Sequence, residues 1–477
     1  MRIRFMLALW LAKACACTLR LLKRGGTQLP GRIALALCPA FLSQIGLPPL
    51  VIAVTGTNGK TTVANIVVDV YEHLGFRVAS NRQGSNLNAG VAAALLTDAG
   101  LGGQARAQVA VLEIDERSSR LIYPFVAVDI LVCTNLFRDS VGRNGHAEYI
   151  AFLIDSALPL QARLVLNADD LISAQLGLPG GAGAAQGTGT ARAGNERRFY
   201  GVAPLPGEVQ RTDSLSRDIA ICPVCSTALH YSFVRYHHIG RAVCPNCGFH
   251  SPEADYLATG IDPLAATLSV QMPAGPATFR LLNDSVFNIY NQMAALAALR
   301  EAGLDVEQLT SAFSAIKLTE SRYHAEECGS VRLVMQLAKG QNAIACSRAF
   351  DYIAQQPGRK ALVLNLDDHF DAQGGSENIT WLYDCDYEYL NDPHIAQLVI
   401  GGVRSHDHYL RLRIAGVPPE RMVRTRHERD TADLVDLENI DAVYILYDVY
   451  TVDTAKAVRS RLQARLQARL TERGGAQ

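Results

Sequence analysis

No charge of one sign prevails in this chain: 45 lysines and arginines face 46 aspartates and glutamates, for a formal net charge of −1. That balance removes any general electrostatic reason to bind nucleic acid. A long apolar run is missing from the first 22 residues as well. Phe5–Ala12 is continuously apolar but only eight residues long before Lys13 interrupts it, against the ~20 that a membrane-spanning helix needs. Arg2 and Arg4 ahead of it give the outline of a secretory signal, which conflicts with the nucleotide loop described below. An amphipathic helix that covers the core, or rests on a membrane face, fits better. A disulfide framework is also absent. The eleven cysteines are odd in number, and Cys15, Cys17, Cys38, Cys133, Cys328, Cys346 and Cys385 are scattered, as expected in a reducing cytoplasm.

What is present begins with Val51-Ile-Ala-Val-Thr-Gly-Thr-Asn-Gly-Lys-Thr-Thr62, an apolar β-branched run that ends in a glycine-bearing loop. A buried strand over 51–54 would lead into a tight turn, with a helix starting at Lys60. Backbone N–H groups of such a turn converge on one point, and the helix N-terminus adds positive potential for an anion. Lys60 would reach the β- and γ-phosphates of a nucleotide, and the Thr61 hydroxyl would hold Mg²⁺. Gly56, Thr57, Asn58, Gly59, Lys60, Thr61 and Thr62 are therefore the candidate ATP-binding residues. The loop is shorter than the usual G-x-x-x-x-G-K-[ST], because Val54 stands where the first glycine should be. The plain alternative is an ordinary strand-to-helix turn.

At 477 residues the chain is long for one core, and two or three domains are expected. Residues 49–175 alternate apolar strands (51–54, Val109–Ile114, Ile130–Cys133, Arg163–Asn167) with helical stretches, which predicts a mainly parallel sheet with helices on both faces. A low-complexity Gly/Ala run over 179–194 has nothing to bury and predicts a flexible loop. Strands at 266–271 and 278–282 and an alanine-rich helix over Phe287–Ala302 follow. The polar stretch 317–323 reads as a hinge. Strands at 331–335, Ala361–Leu366, Gln397–Ile400 and Ala442–Leu446 then define a second α/β unit, closed by a basic helix from Arg459. The boundaries expected are an N-terminal helical segment over 1–48, an ATP-binding domain over 49–318 and a C-terminal α/β domain over 319–477.

Cys222-Pro-Val-Cys225 and Cys244-Pro-Asn-Cys247 lie eighteen residues apart. Two C-x₂-C knuckles at this spacing present four thiolates to Zn²⁺ in a tetrahedron. Neither loop is long enough to fold around a core of its own, so metal would supply much of the folding free energy of a ribbon at about 216–255. Four thiolates close the coordination sphere, so the site is expected to be structural. His230, His237, His238 and His250 then read as surface or supporting groups.

Around the phosphate loop, Val109-Ala-Val-Leu-Glu-Ile-Asp-Glu116 is an apolar strand ending in carboxylates. An acid at the tip of a strand beside such a loop holds Mg²⁺ directly or through water. Glu113 is the first candidate and Glu116 the second, with a solvated loop acid as the plain alternative. Asn288 and Asn291, at i and i+3, share a helix face suited to an adenine edge, or equally to capping.

Taken together, G-T-N-G-K-T-T, the Leu112-Glu113 strand end, Thr134-Asn135-Leu, Leu166-Asn-Ala-Asp169-Asp170, Asn288-x-x-Asn291 and Ser321-Arg322 stand in the order of the Mur ligase central and C-terminal domains. The cysteine module and Thr380-Trp381-Leu-Tyr-Asp384-x-Asp386 are narrower, and with them nearly the whole chain resembles the MurT family, the ligase subunits of lipid II isoglutaminyl synthase. The resemblance implies a Mur ligase P-loop domain with an inserted zinc ribbon of four cysteines, followed by a Rossmann-like α/β domain. It implies ATP, Mg²⁺ and structural Zn²⁺ as cofactors, with Arg322 at the nucleotide. It also implies ATP-dependent amidation of the D-glutamate α-carboxylate in the lipid II stem peptide, at the inner face of the membrane. No glycine-flanked elbow exposes Cys133 or Cys346 as a glutaminase nucleophile. The family instead takes ammonia from a class I glutamine amidotransferase partner of GatD type, as a heterodimer. It lends an aspartate to that partner's Cys-His pair: Asp384 here, with Asp386 next.

The sequence departs from the family at Asn378, at Thr380 and at Ser321 in the hinge, which touches the ribose and hinge contacts more than the loop. One alternative is another ligase of the superfamily, adding an amino acid as muramyl-peptide or folylpolyglutamate ligases do. Only 54 residues precede Thr55, too few for the nucleotide-sugar domain of the muramyl-peptide type. A zinc-ribbon nucleic-acid-binding ATPase is the other alternative. It sits poorly with a ribbon whose arginines are Arg217, Arg235 and Arg241.

Overall fold

In the computed structural model, residues other than 1, 23–27, 83–84, 139–145, 180–193, 206–207, 209–213, 215–216, 317–322, 339–341, 368–378 and 475–477 are described. The Gly/Ala run, the hinge and its Arg322 thus lie outside the described residues, apart from the run's end residues Pro179 and Gly194 and from Tyr323. The chain forms two compact units, one within Met1–Leu318 and one from Thr319 onward, with Arg138, Ser214 and Arg217 clustering with the second.

The first unit is built on a nine-stranded sheet. Its strands are β1 (Leu50–Thr55), β2 (Val78–Ser80), β3 (Val109–Glu113), β4 (Ile130–Cys133), β5 (Arg163–Asn167), β6 (Arg197–Val202), β9 (Tyr256–Asp262), β10 (Thr267–Met272) and β11 (Gly275–Arg280), while β7 (His230–Tyr236) and β8 (Ile239–Val243) form a separate hairpin. The order β11-β10-β9-β6-β5-β4-β1-β3-β2 is parallel from β9 through β2 and antiparallel over β9–β11. Strands β1 and β4 are unbroken apolar runs because helices cover both faces of a parallel sheet. Helix α3 (Lys60–His73) packs against the alanine-rich helix Val286–Glu301, eleven of whose side chains are buried.

Helices α1 (Arg2–Leu21) and α2 (Leu29–Leu37) join this unit at α4 (Asn88–Asp98). Phe5, Leu9 and Ala12 of α1 and Ala34 of α2 sit in one core with Val91, Leu95 and Leu96 of α4. Gly31 makes this close approach feasible, since a Cβ there would lie 1.8 Å from the Ala89 carbonyl oxygen.

The second unit holds a six-stranded sheet of order β12-β13-β17-β14-β15-β16. Its strands are β12 (Tyr323–Cys328), β13 (Val331–Leu337), β14 (Lys360–Asn365), β15 (Ile395–Ile400), β16 (Met422–Arg424) and β17 (Ala442–Tyr447). All pairs are parallel except β12 with β13. Helices Ala343–Gln355 and Ser405–Ile414 cover one face, and Val452–Gly474 the other through Val458, Leu462 and Leu466. The chain is therefore a mixed α/β protein with a P-loop domain, an inserted cysteine hairpin and a Rossmann-like second unit.

Candidate active site and cysteine ribbon

Strand β1 delivers the chain to a turn whose two glycines lie in the left-handed region, Gly56 at φ +123° and Gly59 at φ +88°. Gly59 caps α3, and a Cβ there would lie 2.1 Å from Asn291 Oδ1. The loop is held from the end of β4. Thr57 N–H donates to the Asn135 carbonyl (2.7 Å), Asn58 N–H to Asn135 Oδ1 (3.0 Å), and Thr134 Oγ1 to the Asn58 carbonyl (2.6 Å). Phe137 N–H donates to Thr57 Oγ1 at 2.9 Å. The Thr57-Asn58 pair and Thr134-Asn135 thus act as one hydrogen-bonded unit, which holds the loop in a single shape.

The Lys60 ammonium curls back over its own loop. It donates to the carbonyls of Gly56 and Thr57 and to Glu116 Oε1 at 2.7 Å. Glu116 is buried, and burial holds its carboxyl above the ordinary range while Lys60 pulls the other way. Glu113, at the tip of β3, is partly exposed; its carboxylate accepts from Asn86 Nδ2 at 3.2 Å. The Asn81 amide clamps the Glu113 backbone, accepting from its N–H and donating to its carbonyl, both at 2.8 Å. The two candidate acids thus face different partners: Glu116 the lysine, Glu113 the polar loop at 81–88. Thr61 and Thr62 open α3 and are half-buried. Asn291 donates to Asn288 Oδ1 (3.2 Å), and Asn288 donates to Asn283 Oδ1 (3.1 Å). Asn291 is buried against Gly59, so this pair backs the loop as well as lining its edge.

The sulfurs of Cys222, Cys225, Cys244 and Cys247 all lie within 4.8 Å of one another. Zn–S bonds of ~2.3 Å put tetrahedral sulfurs about 3.8 Å apart, so the four thiols fit Zn²⁺ as ligands. Each knuckle is shaped alike: Cys222 N–H donates to the Thr227 carbonyl and Cys244 N–H to the Phe249 carbonyl. Residues with positive φ, Ser226 and Gly248, turn the two corners.

The hairpin β7–β8 is docked by buried charge. Arg235 donates to Asp169 Oδ2 (3.0 Å), to the Val202 and Ala203 carbonyls (2.8 and 2.6 Å), to Glu208 and to the Tyr290 hydroxyl. Its side chain is 2% exposed and that of Asp169 0%. Burial pushes the Asp169 carboxyl up, against the pull of Arg235. His238 Nε2 lies 3.1 Å from Asp170 Oδ1, while Asp170 Oδ2 accepts from Leu136 N–H at 2.8 Å. The His238 ring is 4.5 Å from that of Phe137. Consecutive carboxylates thus join the ribbon to the segment that holds Thr57. Of the histidines read as surface or supporting groups, His230 and His250 are exposed, while His237 and His238 are buried, His238 as a supporting group against Asp170. The Tyr-His-His triplet at the hairpin turn is the available signal. Arg235, by contrast, reads in the sequence only as one charge among few.

Residues 54–178 match the Mur ligase middle domain, and residues 339–452 match the MurT ligase C-terminal domain. The chain joins a Mur ligase middle domain to a MurT-type C-terminal domain. It is 27% identical, over 86% of its length and 88% of the relative's, to the lipid II isoglutaminyl synthase (glutamine-hydrolyzing) subunit MurT of Staphylococcus aureus (strain COL). It is also 27% identical, over 89% and 90%, to the subunit of the same name from Streptococcus pneumoniae. Among solved structures, a pseudomurein peptide ligase type C from Methanothermus fervidus superposes with a TM-score of 0.63 at 17% identity, covering 88% of this chain and 80% of that one. That likeness is one of fold.

Within the MurT-type domain, Asp384 ends the single helical turn Trp381–Asp384. Its carboxylate is partly exposed and lies 3.7 Å from the Arg138 guanidinium. Asp386 is turned inward: it accepts from Ser214 Oγ at 2.9 Å, and its N–H donates to Ser347 Oγ at 2.9 Å. Of the two, Asp384 is the more exposed.

Proposed function

We propose that this chain is the ligase half of a two-subunit synthase that amidates the α-carboxylate of D-glutamate in the lipid II stem peptide, at the inner face of the membrane. The coarser statement, an ATP-dependent Mur-type ligase, follows from the domains already assigned. The observation that carries the finer one is the pairing of a Mur ligase middle domain with a MurT-type domain whose Asp384 is partly exposed beside Arg138.

In this reading Lys60 leaves the Gly56 and Thr57 carbonyls for the β- and γ-phosphates of ATP, with Glu116 keeping its charge balanced. Thr61 and Glu113 would hold Mg²⁺, which would supply charge neutralisation at the transferring phosphoryl group. A carboxylate oxygen of the substrate attacks the γ-phosphorus, the bond to the β-phosphate oxygen breaks, and ADP leaves. Ammonia then attacks the acyl phosphate carbon, inorganic phosphate departs with the bonding electrons, and the ammonium proton goes to solvent. The chain's task is positioning and charge neutralisation, so no covalent intermediate on a side chain is required. Ammonia comes from a class I glutamine amidotransferase subunit, to whose Cys-His pair Asp384 lends its carboxylate. The four-cysteine ribbon takes structural Zn²⁺.

The test is reconstitution. The chain with a GatD-type glutaminase, lipid II, ATP and glutamine should yield amidated lipid II, and Lys60→Ala should abolish it. ATP turnover that requires a free amino acid instead would replace this reading with that of an amino-acid-adding ligase.

A further inference from the structure

Helix α1 is apolar on two opposite faces. Phe5, Ala8, Leu9, Ala12 and Ala16 point into the core. The other face carries Ile3, Leu7, Trp10, Leu11 and Leu21, between 50% and 80% exposed. Ile3, Leu7, Trp10 and Leu11 are spaced by three and four residues, and Leu21, ten residues after Leu11, falls on the same stripe of the helix. Leu101, 70% exposed, extends the stripe sideways, because the Trp10 indole N–H donates to its carbonyl at 2.9 Å. A helix that had only to cover the core would carry charge on this side. A run of large apolar side chains left in water marks a surface that meets something else.

The charges around it say what that is. Residues 1–48 contain seven lysines and arginines and no aspartate or glutamate, in a chain whose overall balance is −1. Arg4 is exposed beside the stripe, donating to the Leu37 carbonyl, Arg20 is exposed at the helix end next to Leu21, and Lys13 is half-buried, donating to the Ala99 carbonyl. Asp98, the neighbouring acid, is buried and paired with Arg77. Among the described residues no helix is long and apolar enough to cross a membrane. Basic side chains flanking an apolar face with a Trp on it fit a helix lying in the plane of an anionic bilayer surface.

We infer that the exposed face of α1, with Leu101, is a docking surface for anionic lipid bilayers. The face inserts Ile3, Leu7, Trp10 and Leu11 among the headgroups while the basic residues meet lipid phosphates. This deepens the placement at the membrane proposed above and rests on it for its setting; the binding itself makes no use of substrate.

The full chain carrying Trp381→Phe, so that Trp10 alone reports, is mixed with vesicles of phosphatidylcholine with or without phosphatidylglycerol. Co-sedimentation and a blue shift of Trp10 emission are expected with the anionic vesicles, and both should weaken with salt. Arg4→Gln and Arg20→Gln should each loosen binding about fivefold. Leu7→Ser/Leu11→Ser should abolish it while lowering the thermal melt only slightly, since both side chains are already about half exposed. ATP-dependent amidation of a lipid-free stem peptide by that variant should equal the parent's, so loss of docking and failure of the amidation reading are read separately. No sedimentation with anionic vesicles at low salt would overturn the inference. So would binding indifferent to Leu7→Ser/Leu11→Ser, or a stripe variant that instead loses only its glutaminase partner.

Discussion

Arg235→Ala should undermine the first unit far more than a surface arginine would. The guanidinium makes five hydrogen bonds, to two carboxylates, a tyrosine hydroxyl and two strand-end carbonyls, at 2% exposure. Removing one partner of a buried ion pair costs about 3–5 kcal/mol, because the other is left charged without compensation. Here Asp169 keeps the Tyr290 hydroxyl, the Val202 N–H and Arg241 at 3.6 Å, and Glu208 is partly solvated. The lower end, about 3 kcal/mol, is therefore expected. At ~2 °C per kcal/mol for a unit of this size, that is a drop of about 6 °C. Two units make a single melting temperature ambiguous. Hydrogen exchange on peptides from β5 and β6 should report the first unit, and, in a Trp10→Phe background, emission from buried Trp381 the second. Protection should fall in β5 and β6 while the Trp381 transition stays in place. In a double-mutant cycle with Asp169→Asn the two losses should overlap by about 1–3 kcal/mol. A loss below ~1 kcal/mol, the range of ordinary substitutions, would refute the argument that this arginine anchors the ribbon.

Four further outcomes are expected. Gly59→Ala forces a Cβ onto Asn291 and a side chain into positive φ, a strain of about 1–3 kcal/mol; ATP affinity by calorimetry should fall at least about fivefold, with partial recovery in Gly59→Ala/Asn291→Ala. His408 is fully buried, its Nδ1 2.5 Å from the Tyr387 hydroxyl, and burial, aided by Arg404, pushes its pKa down to about 4. The unfolded chain takes up this proton near pH 6.5 while the folded one refuses it until about 4. Stability of the second unit should therefore be full above 6.5 and fall by about 3 kcal/mol on the way to pH 4; urea melts of His408→Gln should show a flatter profile. Asp384→Asn should spare turnover with added ammonium and block turnover with glutamine, whereas equal loss of both would remove Asp384 from the partner's triad. Asp386→Asn should lower stability instead, since its carboxylate is buried against Ser214.

Sequence legibility followed burial. Strands such as β1, β4 and β17 announce themselves because both faces are covered, so every position is apolar. The short edge strands β2 and β16, three residues each, and the polar β6 and β12 carry no such signal. The glycine loop and the four cysteines were legible as candidates because their residues are local: consecutive residues make the turn, and two short knuckles bring the four thiols together. The docking of the ribbon was not. Arg235 meets Asp169 from 66 residues away, and His238 meets Asp170 from 68, so nothing in either neighbourhood advertises the pair. A buried arginine looks like a surface one until the fold brings its carboxylate. For the two acids after β3 the sequence offered a choice, and only the fold distinguished the one facing Lys60 from the one facing Asn86.

The place at which the ribbon enters has an entropic consequence. Strands β6 and β9 are parallel neighbours, with Tyr200 opposite Tyr256, so the chain must cross over the sheet between them. A parallel pair normally uses a helix for this crossing. Here roughly fifty residues make it, and an unstructured loop of that length carries a closure cost that grows by ~0.6 kcal/mol with each doubling. Tying the middle of the crossing into a ribbon clipped by four thiols, and pinning that ribbon to Asp169 and Asp170, leaves only short spans to be closed. With Zn²⁺ bound as proposed, the cysteines would thus act on the sheet itself: they would tether its last three strands to the rest.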